Sequence, residues 1–550
     1  MKKKWWEVLP ICMLTLFSCG ETTSDPITSN SLTSNSTTSS ASSDTDPIPM
    51  VFDSAADYAY DETSTNENGS ASYEIFVRSF YDSDGDGIGD LHGVEEKLPY
   101  LAGLGVKTLW LMPIHPSPTY HGYDVTDYFN VNPDFGTLAD FESLVSEARK
   151  LHIDIMIDLV LNHCSIRNQY FIDSYNDYLA GKTGEDSKAD WFNWGFHDHL
   201  YNGTYYESYF DAGMPDFNLD SVGVKAEMSK IIKFWIDEGV AGFRLDGVYY
   251  YYRGVQDKNI AFLDWIKNTT KSFNPNIYLV GECWIADGAL NPYFISKCDS
   301  FFRFGTATGG DTSLINLVKG YGRASNMAAT IENNETVMRG KNANAYSSYF
   351  LSNHDQDRIS KNFIAETNKA AASLYLLLPG TPFMYYGEEI SLVGKRTLSP
   401  DDFSDVKRRL PMVWSGTDKT GECIFPEANR QDLNNTVQVT EGVTEKSLEP
   451  FSLLKHYKKV INVRNKYPFL KNGVFTSLCT ALNTTEKSVM AYQIASGDDH
   501  IIVVHNFSNY NVQVTAPGTE IVDEINTSHR LPSLAGGLLT LGAFSTVVMK

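Results

Sequence analysis

Apolar runs that contain or end in charged residues recur along the chain, and they predict buried parallel strands. The clearest run extends from Val240 to Val248 and carries Arg244 and Asp246 among apolar residues and glycines. Side chains alternate along a strand, so Arg244 and Asp246 point to the same side. A charged pair inside an apolar strand is costly unless it is paired or used in function. Taken alone, this pair is equally well explained as a structural ion pair.

Three further apolar runs carry acids or histidines at or near their C-terminal ends. These runs are residues 155–163 with His163, residues 276–284 with Glu282, and residues 349–355 with His354 and Asp355. In a (β/α)₈ barrel the C-terminal ends of the strands converge on one mouth, where active sites lie. We therefore predict an α/β fold, a (β/α)₈ TIM barrel, with these side chains gathered at one site.

The alternation of strand and helix patterns also predicts the domain boundaries. The barrel comprises residues 71–163 and 219–468. Residues 164–218 are rich in Tyr, Trp, Asn, Asp and Gly and are too long for an ordinary connection, so we expect a small inserted domain there. Residues 469–550 change to a period of two, which predicts a C-terminal antiparallel β-sandwich.

The N-terminal segment has the pattern of a targeting signal. A lysine cluster at residues 2–4 precedes an apolar segment, residues 8–17, that is too short to span a bilayer comfortably. The following residues resemble a bacterial lipobox, so we predict a lipoprotein signal peptide, residues 1–19, with Cys19 acylated after cleavage. Plain secretion or an uncleaved anchor are the alternatives. Residues 20–70 are mostly Ser/Thr-rich and predict a flexible tether to the cell surface.

Composition narrows the class of partner. The 550 residues carry a net charge of −23, which argues against nucleic acid and against an anionic membrane surface. Membrane contact is therefore expected only through the lipid anchor, and we expect a monomer. The five cysteines outside the leader are irregularly spaced, which predicts neither a disulfide framework nor a zinc site.

Residues 82–90 predict a site for a hard cation. Acids stand at alternate positions, and glycines between them permit tight turns. Carboxylates in this arrangement can form an oxygen cage for Ca²⁺. The loop mimics the first half of an EF-hand, but it follows a strand and has Gly93 where the final glutamate would stand. A solvated acidic turn is the alternative interpretation.

Four motifs in order resemble the α-amylase family of glycoside hydrolases (family 13), from about residue 70 to the C-terminus. They are DLVLNH at 158–163, GFRLDGV at 242–248, GECW at 281–284 and LSNHD at 351–355. For the acidic loop, the resemblance implies calcium ligands at Asp82, Asp84, Asp86, the Ile88 carbonyl and Asp90.

Glycoside hydrolysis needs two carboxyl groups, which retaining enzymes place about 5 Å apart. Neighbouring strands are about 4.8 Å apart, so carboxyl groups on adjacent strand ends satisfy this spacing. We predict Asp246 as the nucleophile, kept ionised by Arg244. We predict Glu282 as the acid/base, with a pKa raised by Trp284 and apolar surroundings. Asp355 would hold sugar hydroxyls and favour the distorted ring.

The resemblance also implies substrate-binding residues. Tyr123, in the segment HGYDVTDY that begins at His121, would stack under the sugar at the cleavage point. His121 and Arg244 are also expected to bind the substrate. His163 and His354 are expected to be neutral donors to sugar hydroxyls, and Arg409 resembles a pocket arginine. Each of these residues alone would more often be structural, and the surrounding motifs favour the functional interpretation.

Two positions depart from the family pattern. Tyr249 and Tyr250 stand where many α-amylases have Lys-His, and that histidine often helps to hold a second calcium ion between barrel and insertion. Asn162 matches another ligand of that ion, but the missing histidine argues against the site, and the tyrosines could form a stacking surface. The segment MPDFN at 214–218 looks closest to α-amylases between oligo-1,6-glucosidases and neopullulanases.

The sequence therefore predicts a retaining, endo-acting α-amylase that cleaves α-1,4-glucan (starch and malto-oligosaccharides) outside the cytoplasm. One alternative is an exo-acting α-glucosidase or oligo-1,6-glucosidase with a blocked pocket. A transglycosylase or cyclodextrin-degrading relative is another. A non-catalytic glucan-binding surface protein is the third, although a pure binder has no need of all three carboxyl groups.

Overall fold

A computed structural model describes residues 69–308, 313–362, 364–396, 404–424, 439–526 and 531–550. The predicted signal peptide with Cys19, and nearly all of the predicted linker, lie outside these residues and stay predictions. No helix in the described part of the chain is long and apolar enough to cross a membrane.

Eight parallel strands form the central sheet, as predicted. Among the described residues, the first ten strands are β1 (Ser72–Ile75), β2 (Thr108–Leu111), β3 (Asp154–Leu159), β4 (Trp194–Tyr201), β5 (Thr204–Tyr206), β6 (Gly242–Leu245), β7 (Tyr278–Gly281), β8 (Ser300–Phe302), β9 (Tyr346–Ser348) and β10 (Phe383–Tyr385). All except β4 and β5 belong to the sheet. Its edges meet where Thr381 N donates to Ser347 O (3.0 Å) and Phe383 N donates to Tyr349 O (2.8 Å), which closes the barrel.

Helices connect successive barrel strands. In the described ranges they are α1 (Leu91–Glu96), α2 (Leu98–Leu104), α3 (Leu138–Lys150), α4 (Gln169–Leu179), α5 (Val222–Asp237), α6 (Gln256–Phe273), α7 (Asp287–Leu290), α8 (Phe304–Thr308), α9 (Leu314–Val318), α10 (Ala324–Lys341), α11 (Ala365–Leu376), α12 (Val443–Leu448) and α13 (Leu453–Asn465). The long helices α3, α5 and α13 begin at Thr137, Ser221 and Ser452, whose side chains cap the first turn.

Strand β9 differs from its prediction. The apolar run at 349–355 predicted a strand, but the strand is Tyr346–Ser348 and the run follows it. Strand β9 is polar because its serine hydroxyl groups are satisfied by buried partners, one inside the barrel and one on helix α10. Ser348 Oγ lies 2.9 Å from Ser300 Oγ, and Ser347 Oγ donates to Glu335 (2.5 Å). The acid and histidine of this run therefore lie in the loop beyond the strand, at the mouth of the barrel.

Strands β4 and β5 form a two-stranded antiparallel sheet within the predicted insertion. The chain returns to the barrel through an isolated bridge between His163 and Asp216 and another between Phe192 and Phe217. Residue 163 is the last residue of the predicted apolar run 155–163, so the insertion begins and ends beside the barrel mouth.

Antiparallel strands form the C-terminal domain. They are β11 (Val474–Ser477), β12 (Val489–Ser496), β13 (Asp499–Asn506), β14 (Val512–Thr515), β15 (Ile521–Ile525), β16 (Ser533–Ala535), β17 (Leu538–Leu541) and β18 (Thr546–Met549). They form a five-stranded and a three-stranded sheet. Val489 and Ala491 of the first sheet share one buried cluster with Leu539 and Leu541 of the second, since alternate side chains face inward.

Arg464 joins helix α13 to the closure of the barrel. Its side chain is fully buried and donates to the carbonyl oxygens of Gly69 (2.5 Å), Leu376 (2.7 Å) and Leu378 (2.8 Å), and to that of Gly380. One guanidinium group thus satisfies four carbonyl groups around strand β10.

Replacing Arg464 should destabilise the barrel. Arg464→Met leaves these buried carbonyl groups without a donor, and we expect a loss of about 3 kcal/mol in the free energy of unfolding. Urea unfolding followed by circular dichroism measures this loss. Lys455→Met, on the same helix, is the matched control. An equal effect of both substitutions would contradict this role of Arg464.

Candidate active site

The register of the barrel strands brings the predicted charged residues together. Asp158 of β3 lies directly beside Arg244 of β6, and Arg244 lies beside Val280 of β7. Asp246 follows the end of β6, and Glu282 follows the end of β7. The backbone N–H of Glu282 donates to Leu245 O (2.9 Å), which fixes the two strand ends against each other.

Arg244 is the centre of the first half of the site. Its side chain is 1% exposed. Nη1 lies 2.6 Å from both Asp158 Oδ1 and Asp246 Oδ1, and Nη2 lies 2.7 Å from Glu282 Oε1. Nη1 also donates to the Tyr123 hydroxyl (3.3 Å). The predicted pair of Arg244 and Asp246 is therefore part of a larger buried network.

The two predicted catalytic carboxyl groups share this guanidinium but have different surroundings. Burial, with the negative charges of Asp246 and Asp355, raises the pKa of Glu282 to about 7 against the opposing effect of Arg244. The direction is the predicted one. Trp284, however, is 46% exposed and stacks on Phe304. The raised pKa of Glu282 is therefore due to its burial in the barrel mouth more than to this ring.

His354 is the centre of the second half of the site. Its Nδ1 lies 2.5 Å from Glu74 Oε1, and its Nε2 lies 3.1 Å from Asp355 Oδ2 and 2.8 Å from the Tyr123 hydroxyl. On the other side, Arg409 Nη2 lies 2.8 Å from Asp355 Oδ1. Tyr123 therefore links the two halves, because it also contacts Arg244.

The surroundings of His354 favour a positive charge on its ring. Burial opposes the charged imidazolium, yet Asp355 and Glu74 raise the pKa of His354 to about 10. The carboxylates of Glu74 and Asp355 therefore favour the charged imidazolium, whereas the sequence led us to expect a neutral donor. Burial alone would raise the pKa of Asp355, but His354 and Arg409 hold it well below its usual value. Asp355 is thus an anion at neutral pH.

His163 and His121 stay neutral. Burial lowers the pKa of His163, against the opposing effect of Asp246, and the ring lies 5.2 Å from that of Phe210. Burial also lowers the pKa of His121 to about 4. His121 Nδ1 accepts from the backbone N–H of Tyr123 (3.1 Å), so this histidine holds the Tyr123 loop.

Two buried acids of the site were not among the predicted site residues. Asp158 and Glu74 are at most 1% exposed, and they hold Arg244 and His354 respectively. Burial raises the pKa of Asp158 to about 6, although Arg244 opposes this. Each is a buried acid beside apolar residues in a barrel strand, and the search for such acids, applied to β1 and β3 as it was to β6, would have identified them.

The acidic loop after β1 brings three predicted calcium ligands together. Among the described residues, carboxylate oxygens of Asp82, Asp84 and Asp86 lie within 4.8 Å of one another. Asp82 is buried, and the other two are exposed. The Ile88 backbone N–H donates to Asp86 Oδ1 (2.7 Å). Three carboxylates of this kind fit a hard cation such as Ca²⁺.

Asp90, a further predicted calcium ligand, makes hydrogen bonds within the same loop. Its Oδ1 accepts from Gly93 N (2.7 Å) and from Ser83 Oγ (2.8 Å), and its Oδ2 accepts from Ser83 N (2.8 Å). Asp90 thereby caps helix α1. Among the described residues, its carboxylate is not part of the convergent group of three, and its role as a calcium ligand stays a prediction.

A closed parallel barrel with paired carboxyl groups at the C-terminal ends of its strands is the arrangement of a glycoside hydrolase. A profile described as the alpha-amylase catalytic domain matches residues 74–473, and one described as the alpha-amylase SusG C-terminal domain matches residues 489–548. The chain belongs to the α-amylase family.

Similar proteins include Alpha-amylase 3 of Dictyoglomus thermophilum, with 35% identity over 87% of this chain and 92% of that protein. The oligo-1,6-glucosidase of Parageobacillus thermoglucosidasius is 27% identical over 79% of this chain and 89% of that protein. The structure of Eubacterium rectale Amy13B has a TM-score of 0.81 and 32% identity, covering 88% of this chain and 96% of that one. The α-amylase from H. orenii has a TM-score of 0.75 and 33% identity, covering 88% and 99%.

Removing Glu74 should lower the pKa of His354. In Glu74→Gln one of the two carboxylates that stabilise the imidazolium is lost, whereas in the native protein His354 should stay protonated at pH 8. Nitrogen chemical shifts of ¹⁵N-labelled histidine side chains measure both states, with His354→Gln to assign the signal. Glu147→Gln, on the surface, is the control. A neutral His354 in the native protein at pH 7 would contradict the ion-pair assignment.

Proposed function

We propose that this protein is an endo-acting, retaining α-amylase that hydrolyses internal α-1,4 bonds of starch and malto-oligosaccharides. The observation that supports this most strongly is the pair Asp246 and Glu282, which contact the same guanidinium group at the barrel mouth. This arrangement suits the carboxyl separation of about 5 Å in retaining glycosidases. Tyr123 links Asp355 and His354 to this pair, so they can hold the sugar at the cleavage point.

In the first step, the Asp246 carboxylate attacks the anomeric carbon and forms a glycosyl ester as the bond to the leaving oxygen breaks. Glu282 donates its proton to that oxygen, so the leaving sugar departs as an alcohol. Arg244 holds both carboxyl groups in place. The pKa of about 7 leaves a large share of Glu282 protonated at neutral pH, as a general acid requires.

In the second step, Glu282 takes a proton from water, and the water oxygen attacks the anomeric carbon. The ester bond to Asp246 breaks, which restores both carboxyl groups and retains the anomeric configuration. Asp355, fixed as an anion between His354 and Arg409, can bind sugar hydroxyl groups and favour the distorted ring of both transition states.

An exo-acting oligo-1,6-glucosidase is the second candidate, because enzymes of that name are also among the similar proteins. The α-amylase interpretation is supported by the higher identity to Alpha-amylase 3.

The acidic loop supports Ca²⁺ as a structural ion held by Asp82, Asp84 and Asp86, with the Ile88 carbonyl as a further ligand. The lipobox-like leader with Cys19 supports attachment at the cell surface.

The time course of product sizes on soluble starch separates these functions. We expect iodine staining to disappear rapidly, with mixed malto-oligosaccharides before glucose, because internal bonds are cut. Glu282→Gln should lose at least about 10³-fold of this activity. Glucose as the first product, with staining retained, would favour the exo-acting enzyme. Starch binding without hydrolysis would indicate a binding protein.

The pH dependence of kcat/KM on maltoheptaose tests the role of Glu282. General acid catalysis needs the protonated carboxyl group, so activity should fall as the pH rises through about 7. Maltosyl fluoride is the control, because fluoride leaves without a proton. With this substrate the fall of kcat/KM at alkaline pH should therefore be weaker. The same alkaline limb on both substrates would assign the titration to another group.

Calcium binding tests the acidic loop. Asp82→Asn removes the buried carboxylate of the three, and we expect calorimetric titration to detect Ca²⁺ binding to the native protein but not to this variant. Asp134→Asn, an exposed acid elsewhere on the barrel, is the control. Unchanged binding in Asp82→Asn would place the ion at another site.

A further inference from the structure

Arg253 occupies the junction between the barrel and the insertion. It follows the tyrosine run after β6 and the short 3₁₀ helix Val248–Tyr250, and its φ of 48° lies in the left-handed region. A residue with a side chain seldom adopts that conformation without compensating contacts. Its backbone N–H donates to Tyr250 O (3.0 Å), so the turn aims the side chain across to the insertion.

Three carboxylates of the insertion surround the guanidinium of Arg253. Nε lies 2.6 Å from Glu207 Oε1, and Nη2 lies 3.4 Å from Asp216 Oδ2 and forms a shorter ion pair with Asp198. The side chains of Glu207 and Asp216 are 14% and 7% exposed, so these pairs are shielded from salt. We call Arg253, Asp198, Glu207 and Asp216 the junction cluster.

The junction cluster connects to the active site by two routes. Asp216 Oδ1 accepts from Asn162 Nδ2 (3.0 Å), and Asn162 precedes His163. The guanidinium carbon also lies 5.5 Å from the ring centre of Tyr209, whose ring lies 4.4 Å from that of Tyr250. Phe210 lies 4.9 Å from the same Tyr250 ring and 5.2 Å from His163. These rings form one wall beside the predicted cleavage point.

The cluster does not fit the second calcium ion that many α-amylases hold between barrel and insertion. Ca²⁺ needs several oxygens that converge at about 2.3–2.6 Å on one point. Here the carboxylates of Asp198, Glu207 and Asp216 converge on a guanidinium group. Among the described residues, a convergent acidic group is found only in the loop at Asp82.

We propose that Arg253 takes the place of the metal ion at this junction, and that it positions the aromatic wall of Tyr209, Phe210 and Tyr250 for the leaving part of the glucan. The second half of this inference, the positioning of the aromatic wall, rests on the proposed function. The first half, the replacement of the metal ion, does not. Arg253 is a positioning residue, because it acts on the substrate through these rings. The wall replaces the Lys-His pair of other family members with a stacking surface.

Calcium stoichiometry tests the first half. Calorimetric titration of the native protein should give one ion per chain, and Asp82→Asn should bind none. A second ion, retained in Asp82→Asn, would overturn the replacement by Arg253. A native protein that binds no Ca²⁺ would overturn the calcium proposal for the acidic loop but would support the inference for Arg253. This result does not depend on any activity.

Two substrates test the second half. Maltoheptaose can contact the aromatic wall, whereas the leaving group of maltosyl fluoride is a single atom. Arg253→Gln should lower kcat/KM about tenfold on maltoheptaose, because the aromatic wall loses its support, but less than about threefold on maltosyl fluoride. Arg253→Lys should restore part of the loss, and Arg167→Gln on the same insertion is the control.

The ratio of the two losses separates positioning from general stability. Equal losses on both substrates, or no loss on either, would overturn the positioning role. If Arg253→Gln does not fold, the losses on the two substrates are compared for Arg253→Lys instead. The lysine ammonium group keeps the charge but lacks the planar contacts of the guanidinium group. If the native protein hydrolyses neither substrate, the proposed function and the positioning role both fail, and the calcium count still decides the first half.

Discussion

One buried guanidinium group, that of Arg244, holds the active site together. It contacts Asp158, Asp246 and Glu282 at 2.6–2.7 Å while it is 1% exposed. Three carboxylates at such distances repel one another, so the cation is what makes their assembly stable. Removing one partner of a buried ion pair costs about 3–5 kcal/mol in other proteins. The geometry needed for glycoside hydrolysis therefore depends on this residue.

The barrel explains why Arg244 can reach all of its partners. Strands β3, β6 and β7 are neighbours in the sheet, although the insertion separates β3 from β6 in sequence. Their register places Asp158 beside Arg244, and the residues after the strand ends complete the site. Tyr123 then joins this half to His354 and Asp355, which lie beyond β9. A change at any of these strands would alter the relative positions of both halves.

Much of the fold and of the site could be predicted from the sequence, because apolar strands and their charged ends leave a local pattern. Strand β9 was misplaced because its serine hydroxyl groups bond to buried partners, so no apolar run marks it. The ion pair that favours a charged His354 could not be predicted, because Glu74 is distant in sequence. The helix-capping contacts of Asp90 could not be predicted either, because they depend on how the loop folds back on itself. The ion pairs of Arg253 could not be predicted, because the three carboxylates that contact it come from separate parts of the insertion.

The most direct test of this account is to trap the glycosyl ester. In Glu282→Gln, maltosyl fluoride should still react in the first step, and the second step should stall for lack of a base. Mass spectrometry should then find one maltosyl unit on the peptide that contains Asp246, and none in the double variant with Asp246→Asn. A maltosyl unit on a different residue, or an inverted product without any covalent adduct, would contradict the assignment of Asp246 and the central role of Arg244.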